Sequence, residues 1–481
     1  MDINSLKEKA LKGMLWSSIE IIFHKGFDFL VKLLLAKLLF PEEFGVVGMA
    51  VVFTSFISVL NEFGIGAALI QRKDEDLNDG HYSTAFWSGI IWSIILFIVA
   101  TFLIAPVAAS FYEESLLVKV IPALSLSLIP NSMNLIHKAR LIKDLNFRKI
   151  AFISNSAYLI TGLISLLLAY LEFGIWALIF NSIAFYFLAA PIYFFASRWR
   201  PRFFWSKECF KDIIGFGLYS TGTQVLGNIT SNIDYLIVGK IISAGALGAY
   251  SLAFLLTDIV RSQIMSILNK VMYPIYSKLQ GSRKEVKEYY IQVIRYNVLV
   301  LYPIMLILIM EAEQIILVFL GDKWIDSIIP LQILSVSVLF HVMVSSNTVL
   351  IRGLGKPKLE MNIQLFKTIF LYIPSITILT YSYGIIGTSW AIVFNKFISV
   401  FIAQHFLKKL IGITFYDIIR SIKTVLLITI FIGVIIYLNN LYLTDNLYIN
   451  LIIIILLYSM LYYRYFGKEV VGILVKMKAR R

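Results

Sequence analysis

The sequence contains one cysteine, five histidines and few charged residues. Cys209 alone cannot form an intramolecular disulfide, so an oxidised scaffold is excluded. The histidines lack metal-ligand spacing and the sequence has no HExxH or CxxC motif, so we expect neither a metal nor a cofactor. Charged residues make up 15% of the chain, against about 25% in soluble domains. This composition argues against a soluble enzyme.

Long apolar segments dominate what is present. Hydrophobic residues make up 59% of the chain, with unbroken runs such as Ser93 to Ala105 and Asn450 to Leu461. About 20 predominantly apolar residues suffice to cross a bilayer as a helix. Hydropathy and turn signals predict about 14 such segments. The sequence therefore predicts an all-α integral membrane protein.

Basic residues are concentrated in alternate loops. They cluster near residues 138–149, 198–211, 278–287 and 464–481, whereas the opposite loops hold Lys37, Lys119, Lys240 and Lys323. The formal net charge is +14. Because basic loops stay on the cytoplasmic side, this alternation predicts that both termini are cytoplasmic. Basic residues at helix ends that face the cytoplasm explain this net charge better than nucleic-acid binding, which we do not expect.

Two stretches of the chain resemble each other. Residues 36–50 have a counterpart in residues 239–253, and Gly45 aligns with Gly248 and Ala50 with Ala253. Six predicted helices lie in each repeat, so the repeats share one membrane orientation. We expect two parallel six-helix repeats plus two C-terminal helices, divided as an N-terminal lobe at 1–205, a C-terminal lobe at 206–410, and two further helices with a basic tail at 411–481.

Several short motifs, taken in order, resemble one family of membrane proteins. They lie at residues 41–45, 61–66, 141–150, 246–251, 273–277 and 353–357. In this order they resemble polysaccharide exporters of the multidrug/oligosaccharidyl-lipid/polysaccharide superfamily, in the lipopolysaccharide and colanic-acid exporter branch. The resemblance covers about residues 10–410.

The resemblance implies a transporter rather than an enzyme. It implies flipping of an undecaprenyl-diphosphate-linked oligosaccharide from the inner to the outer leaflet of a bacterial cytoplasmic membrane, by alternating access between two six-helix lobes. The implied partners are the lipid-linked oligosaccharide, the bilayer, and a glycan polymerase with its export machinery.

Charged residues recur along the first predicted helix. Glu20, His24, Asp28 and Lys32 are spaced every four residues and form one slowly rotating stripe, with Lys25 beside it. Charges at mid-membrane are costly, so they face a polar cavity or each other. A cavity-lining stripe and a self-neutralising structural network are both open. On the first, His24, Lys25 and Lys32 contact substrate, and Glu20 and Asp28 are candidates for ion coupling.

The seventh helix carries a milder polar face. Asn228 and Asn232 lie on it and could hydrogen-bond sugar hydroxyls or other helices, and these alternatives stay open. Asp234 is adjacent, and we expect an unpaired carboxylate there that takes part in ion coupling. Because helices one and seven open the two repeats, both polar faces are expected to line the cleft between lobes.

Three further cations lie in the second predicted lobe. Arg261 is three residues from Asp258, a spacing that favours a structural pair. Lys367 and Lys396 each lack a same-helix partner one turn away. Because Lys and Arg neutralise phosphates in a low-dielectric site, Arg261, Lys367 and Lys396 are candidate ligands for the lipid diphosphate.

Three other functions fit the sequence less well. A multidrug or cation antiporter of the same superfamily would share the fold, but a mixed-to-basic bundle suits cationic drugs poorly. A glycosyltransferase is suggested only by Asp74-Glu75-Asp76, which matches a metal-binding DxD pattern in a short loop. A purely structural membrane protein would not need so many intramembrane charges.

Overall fold

The computed structural model describes residues 3–62, 64–72, 77–443 and 446–478, and the Asp74-Glu75-Asp76 loop lies outside them. Within these ranges the chain is α-helical, with short π- and 3₁₀-segments and no strand. The helices are α1 (Ile3–Leu38), α2 (Pro41–Glu62), α3 (Ile65–Gln71), α4 (Asp79–Val99), α5 (Ala105–Tyr112), α6 (Leu117–Ser125), α7 (Leu128–Lys143), α8 (Phe147–Tyr170), α9 (Ile175–Ser197), α10 (Lys207–Ile241), α11 (Ala244–Lys278), α12 (Arg283–Met310), α13 (Ala312–Phe319), α14 (Ile328–Val342), α15 (Asn347–Gly353), α16 (Pro357–Lys367), α17 (Ile373–Ile411), α18 (Phe415–Tyr442) and α19 (Leu447–Lys478).

Ten helical stretches of the described chain are long and apolar enough to cross a membrane, judged by length and composition. One of them, Pro357–Ile411, leaves the helical conformation at Tyr383 and at Gly384, whose φ of 61° favours glycine, so it makes two crossings. Adding α1, α10 and the consecutive pair α6 and α7 accounts for all the predicted crossings. The predicted all-α integral membrane protein is confirmed.

Two breaks in the helices have a common cause. Each π-segment, Ala100–Ile104 and Thr368–Tyr372, ends just before a helix with proline in its first turn. These prolines are Pro106 and Pro374. Because proline has no amide hydrogen to donate to the preceding turn, the backbone relaxes into wider hydrogen-bonded rings there.

The chain divides into two compact units, Met1–Ser251 and Leu252–Arg481. In the first unit α1 packs along α8, and α10 packs on α2. A Cβ atom on Gly162 of α8 would lie 2.6 Å from Phe27 and 2.8 Å from Val31 of α1, so glycine permits this close approach. This division follows packing, whereas the predicted lobe boundary near residue 205 follows sequence repetition and stays a prediction.

In the second unit the core forms around α12, which packs against α14 and α18. Its residues Tyr290, Ile294 and Leu301 are fully buried. The C-terminal helix α19 is attached through a buried polar contact. There the Asn450 Nδ2 donates to Glu311 Oε1 at 2.9 Å, and Asn439 Nδ2 donates to Asn450 Oδ1 at 2.8 Å.

Candidate functional site: two groups of membrane-embedded polar residues

The stripe on α1 is partly neutralised. Lys32 Nζ lies 3.0 Å from Asp28 Oδ2, one helical turn away. Lys138 of α7 approaches Glu20 Oε1 at 4.0 Å. Lys25 is exposed and, within the described chain, no carboxylate forms an ion pair with it. Lys25, beside this stripe, is therefore a cation whose charge is available to an anion from outside the chain.

His24 packs on an aromatic ring from α8. The centroids of the His24 and Tyr158 rings are 3.5 Å apart and the ring planes are tilted by 37°. Tyr158 in turn stacks on Phe185 of α9 at 3.9 Å, with nearly parallel planes. This stack gives the His24 imidazole a flat aromatic neighbour, while Asp28, one helical turn away, also acts on it electrostatically.

The polar face of α10 contacts α2. The Ser55 hydroxyl of α2 donates to Asn228 Oδ1 at 3.2 Å. Asn232 Nδ2 donates to the Asn228 carbonyl at 2.9 Å and to Asn228 Oδ1 at 3.3 Å. Among the described residues, no hydrogen bond uses Asn228 Nδ2 or Asn232 Oδ1. The amides thus tie two helices together and keep one donor group and one acceptor for a ligand.

Asp234 has a different environment from the one the sequence suggested. Its side chain is 4% exposed, its Oδ2 accepts a 2.7 Å hydrogen bond from the Tyr250 hydroxyl, and its Oδ1 accepts from the Tyr235 amide at 3.0 Å. The expectation of an unpaired carboxylate was wrong, because the donor comes from α11 across a tight connection. Its assignment to ion coupling stays a prediction.

The second unit brings cations from three helices toward one ring. Arg261 of α11, Lys367 of α16 and Lys396 of α17 all act electrostatically on His341 of α14. Lys396 Nζ also lies 5.7 Å from the centroid of the Tyr372 ring. These side chains converge although they are separated by up to 135 positions along the sequence, from 261 to 396.

The charge in this cluster is unbalanced. Arg261 pairs with Asp258, as the sequence spacing predicted. No ion pair of the described chain involves Lys367 or Lys396. Three cations with one carboxylate leave a net positive site, and lysine and arginine in such a site bind phosphate through charge-assisted hydrogen bonds. We refer to Arg261, His341, Lys367, Tyr372 and Lys396 as the cationic cluster.

Sequence reasoning missed two members of the cationic cluster. His341 was one of five scattered histidines, and Tyr372 was one of 26 tyrosines. A signal for His341 was available, because it is an isolated ionisable residue in an apolar helix and such residues mark functional sites. Lys367 and Lys396 show the same signal. The remaining predicted site residues fall into separate groups, with His24, Asp28 and Lys32 together on α1 and Asn228 and Asn232 together on α10.

Comparisons with known proteins identify the family of the chain and its fold. A family model described as "Polysaccharide biosynthesis protein" matches residues 34–330. The chain is 24% identical to the lipopolysaccharide biosynthesis protein WzxC of Escherichia coli, covering 87% of this chain and 85% of that protein. It is 23% identical to the teichuronic acid biosynthesis protein TuaB of Bacillus subtilis, covering 90% and 89%.

A solved structure shares the fold. The lipid II flippase MurJ in an inward closed conformation superposes with a TM-score of 0.77 over 95% of this chain and 100% of that one, at 18% identity. At this level of sequence identity, the structural similarity shows that the two proteins share a fold.

Proposed function

Because the chain belongs to the polysaccharide biosynthesis protein family, we propose that it is a flippase for undecaprenyl-diphosphate-linked oligosaccharide. It moves this lipid from the inner to the outer leaflet of the bacterial cytoplasmic membrane, with both termini cytoplasmic. The moved oligosaccharide then supplies assembly of lipopolysaccharide, capsule or exopolysaccharide by a glycan polymerase and export machinery. Transport proceeds by alternating access, and no covalent bond is made or broken.

The cationic cluster carries this proposal. A diphosphate brings about two negative charges, and Arg261, Lys367 and Lys396 offer a matching excess of positive charge within one unit. Tyr372 and His341 add polar groups to the same place. A cation antiporter would need the opposite charge balance, so the cluster favours an anionic substrate.

The first unit supplies groups suited to the rest of the substrate. Exposed Lys25 is a further cation that is available to the diphosphate. Asn228 and Asn232 retain a donor group and an acceptor that suit sugar hydroxyls. Glu20, Asp28 and Asp234 are the carboxylates available for coupling to an ion gradient, and in this proposal they bind no sugar.

The test is leaflet-resolved measurement of the lipid-linked oligosaccharide in cells depleted of the protein. We expect the intermediate to accumulate on the inner leaflet and wild-type protein to clear it. Lys396→Gln should slow clearance by about ten- to a hundredfold, because a charge-assisted contact is worth about 1.5–3 kcal/mol. Lys408→Gln is the matched control, since Lys408 lies on the same helix α17 and is exposed.

Two results would contradict the proposal in different ways. If depletion leaves glycan export and the leaflet distribution unchanged, the substrate assignment is wrong, and efflux of a cationic dye becomes the next assay. If wild-type protein clears the intermediate and Lys396→Gln clears it equally well at equal membrane abundance, the function stands and the cationic cluster is not the site.

A further inference from the structure

A cavity of about 380 Å³ lies within the first unit, apart from the polar groups described above. It is bounded by α3, α4 and the start of α10, and its wall is almost entirely apolar, with Ile65, Trp92, Trp205 and Phe210 among the lining residues. The Ser88 hydroxyl at its edge accepts a hydrogen bond from Trp205 Nε1 at 2.9 Å. The cavity is of the size that binds small ligands and offers them apolar surface.

The cavity opens along a membrane-spanning helix. Ile91 and Ile95 line it and are 56% and 45% exposed. They lie in the middle of the stretch Asp79–Tyr112, which contains an 18-residue window with a mean hydropathy of 2.7. Exposed apolar side chains of a membrane-spanning helix face the hydrocarbon of the bilayer. An apolar ligand chain that enters the cavity at this opening therefore comes from the bilayer.

A basic segment borders the other end of the cavity. The segment from 198 to 211 carries the exposed cations Arg198, Arg200, Arg202, Lys207 and Lys211, against the single acid Glu208. No ion pair of the described chain involves any of these five cations. Lys207 and Lys211 lie one turn apart at the start of α10 and flank Phe210, which lines the cavity.

Aromatic residues fix this segment against α4. Trp87 Nε1 donates to the Arg202 carbonyl at 2.8 Å, and the Phe203 ring stacks on Trp87 at 4.7 Å. Phe203 is 93% exposed and Trp205 is 54% exposed. Tryptophan and exposed aromatic rings beside cations are typical of the headgroup level of a membrane.

Asp212, the acidic residue that follows Lys211 in the sequence, already has partners of its own. Asp212 Oδ2 lies 2.8 Å from Arg72 and 3.5 Å from His81. The hydrogen bond from Arg72 is the main cause that holds the pKa of Asp212 below its usual value. Asp212 therefore does not neutralise neighbouring Lys211, and the cations that border the cavity stay available.

We propose that this cavity binds one acyl chain of an anionic glycerophospholipid, whose phosphate is held by Lys207 and Lys211. Basic groups at the cytoplasmic ends of membrane helices recognise anionic lipid headgroups in this manner. A single unbranched acyl chain suits a cavity of this volume, whereas a long polyisoprenoid chain does not. The site is separate from the proposed transport function and does not depend on it.

The test uses the full-length protein in detergent, titrated with phosphatidylglycerol or phosphatidylcholine of identical acyl chains and observed by native mass spectrometry. We expect one preferred phosphatidylglycerol site. The double variant Lys207→Gln/Lys211→Gln should weaken it about fivefold for each charge removed. The double variant Lys408→Gln/Lys409→Gln, with the same loss of exposed charge on α17, should bind like wild type.

A second variant tests the apolar part. Ile91→Trp fills the opening, so it should abolish the preferred adduct while leaving the two lysines in place.

Phosphatidylglycerol carrying a photoreactive acyl chain should label peptides that contain residues 85–95 or 205–213 in the wild type. Labelling elsewhere, equal binding of both lipids, or stronger binding of undecaprenyl phosphate than of phosphatidylglycerol would overturn the proposal. Each variant is compared only where it elutes as a monodisperse species of wild-type thermal stability.

Discussion

Gly45 and Gly248 make reciprocal contacts at the starts of α2 and α11. A Cβ atom on Gly45 would lie 1.7 Å from the carbonyl oxygen of Ala244, and a Cβ atom on Gly248 would lie 1.8 Å from the carbonyl oxygen of Pro41. These are the positions that align in the sequence repeat. The first residue of each helix therefore packs directly against the glycine of the other helix, and neither position has room for a side chain.

Gly45→Ala should destabilise the protein by about 1–3 kcal/mol, because the new methyl group overlaps a backbone oxygen that cannot rotate away. Gly248→Ala should do the same. The measurement is the thermal unfolding of the purified protein. Gly227→Ala is the matched control, since that glycine is in helix α10 and, among the described residues, no atom outside its own helical turn lies within 4 Å of the added Cβ. There the substitution should be neutral or stabilising through helix propensity.

The double variant at this crossing gives a sharper result. Once one alanine has separated the two helix ends, the second should cost less, so the Gly45→Ala/Gly248→Ala double variant should be less destabilised than the two single effects predict together. Strict additivity would mean that the two contacts are independent, and the reciprocal arrangement would then have no energetic consequence.

Lys25 and Lys32 should respond differently to the same substitution. Lys32→Gln leaves Asp28 without its 3.0 Å partner and should cost up to about 1 kcal/mol of stability, since the pair is partly exposed. Lys25→Gln breaks no ion pair of the described chain, so its thermal stability should equal that of wild type while its transport rate falls. If Lys25→Gln transports at the wild-type rate, Lys25 does not contact substrate.

The Asp234 carboxylate and Tyr250 hydroxyl provide a test that separates packing from ion coupling. Tyr250→Phe removes the 2.7 Å hydrogen bond to this buried carboxylate, at a cost of about 1–3 kcal/mol. Asp234→Asn keeps an acceptor for Tyr250 and loses the charge. If Asp234 takes part in coupling, Asp234→Asn should lose uphill transport in reconstituted vesicles and retain downhill flux. Loss of both, together with a fall in stability, would assign Asp234 a structural role.

The membrane fold follows closely from the sequence, because it depends on the local property of hydropathy. The break at Tyr383 and Gly384, for example, falls at a glycine between two apolar segments, a signal that needs no knowledge of tertiary contacts. Ion pairs within one helix are equally local. The Asp28 and Lys32 pair and the Asp258 and Arg261 pair follow from spacings of four and three residues.

The environment of the site residues could not be predicted in the same way. His24 lies against Tyr158, which is distant in sequence, and no spacing rule relates them. Asp234 finds its donor on Tyr250 only because α10 and α11 fold back on each other. His341 joins the cationic cluster through the packing of helices from several parts of the chain. Partners of this kind are set by tertiary packing, for which one sequence carries no local signal.

The buried contact between Glu311 and Asn450 should control how firmly the C-terminal helix α19 is held. Asn450 is fully buried and donates to Glu311 Oε1 at 2.9 Å. Asn450→Leu removes this donor from a carboxylate that is 1% exposed, so we expect a loss of about 1–3 kcal/mol. The measurement is thermal unfolding together with limited proteolysis after α18.

Tyr448→Leu is the control, because Tyr448 lies on the same helix and its side chain is 63% exposed. Faster cleavage in Asn450→Leu but not in Tyr448→Leu is the expected pattern, since only the first change removes a hydrogen bond to a buried acceptor. Equal cleavage of both variants would show that apolar packing of α19 on α18, and not this polar contact, holds the helix in place.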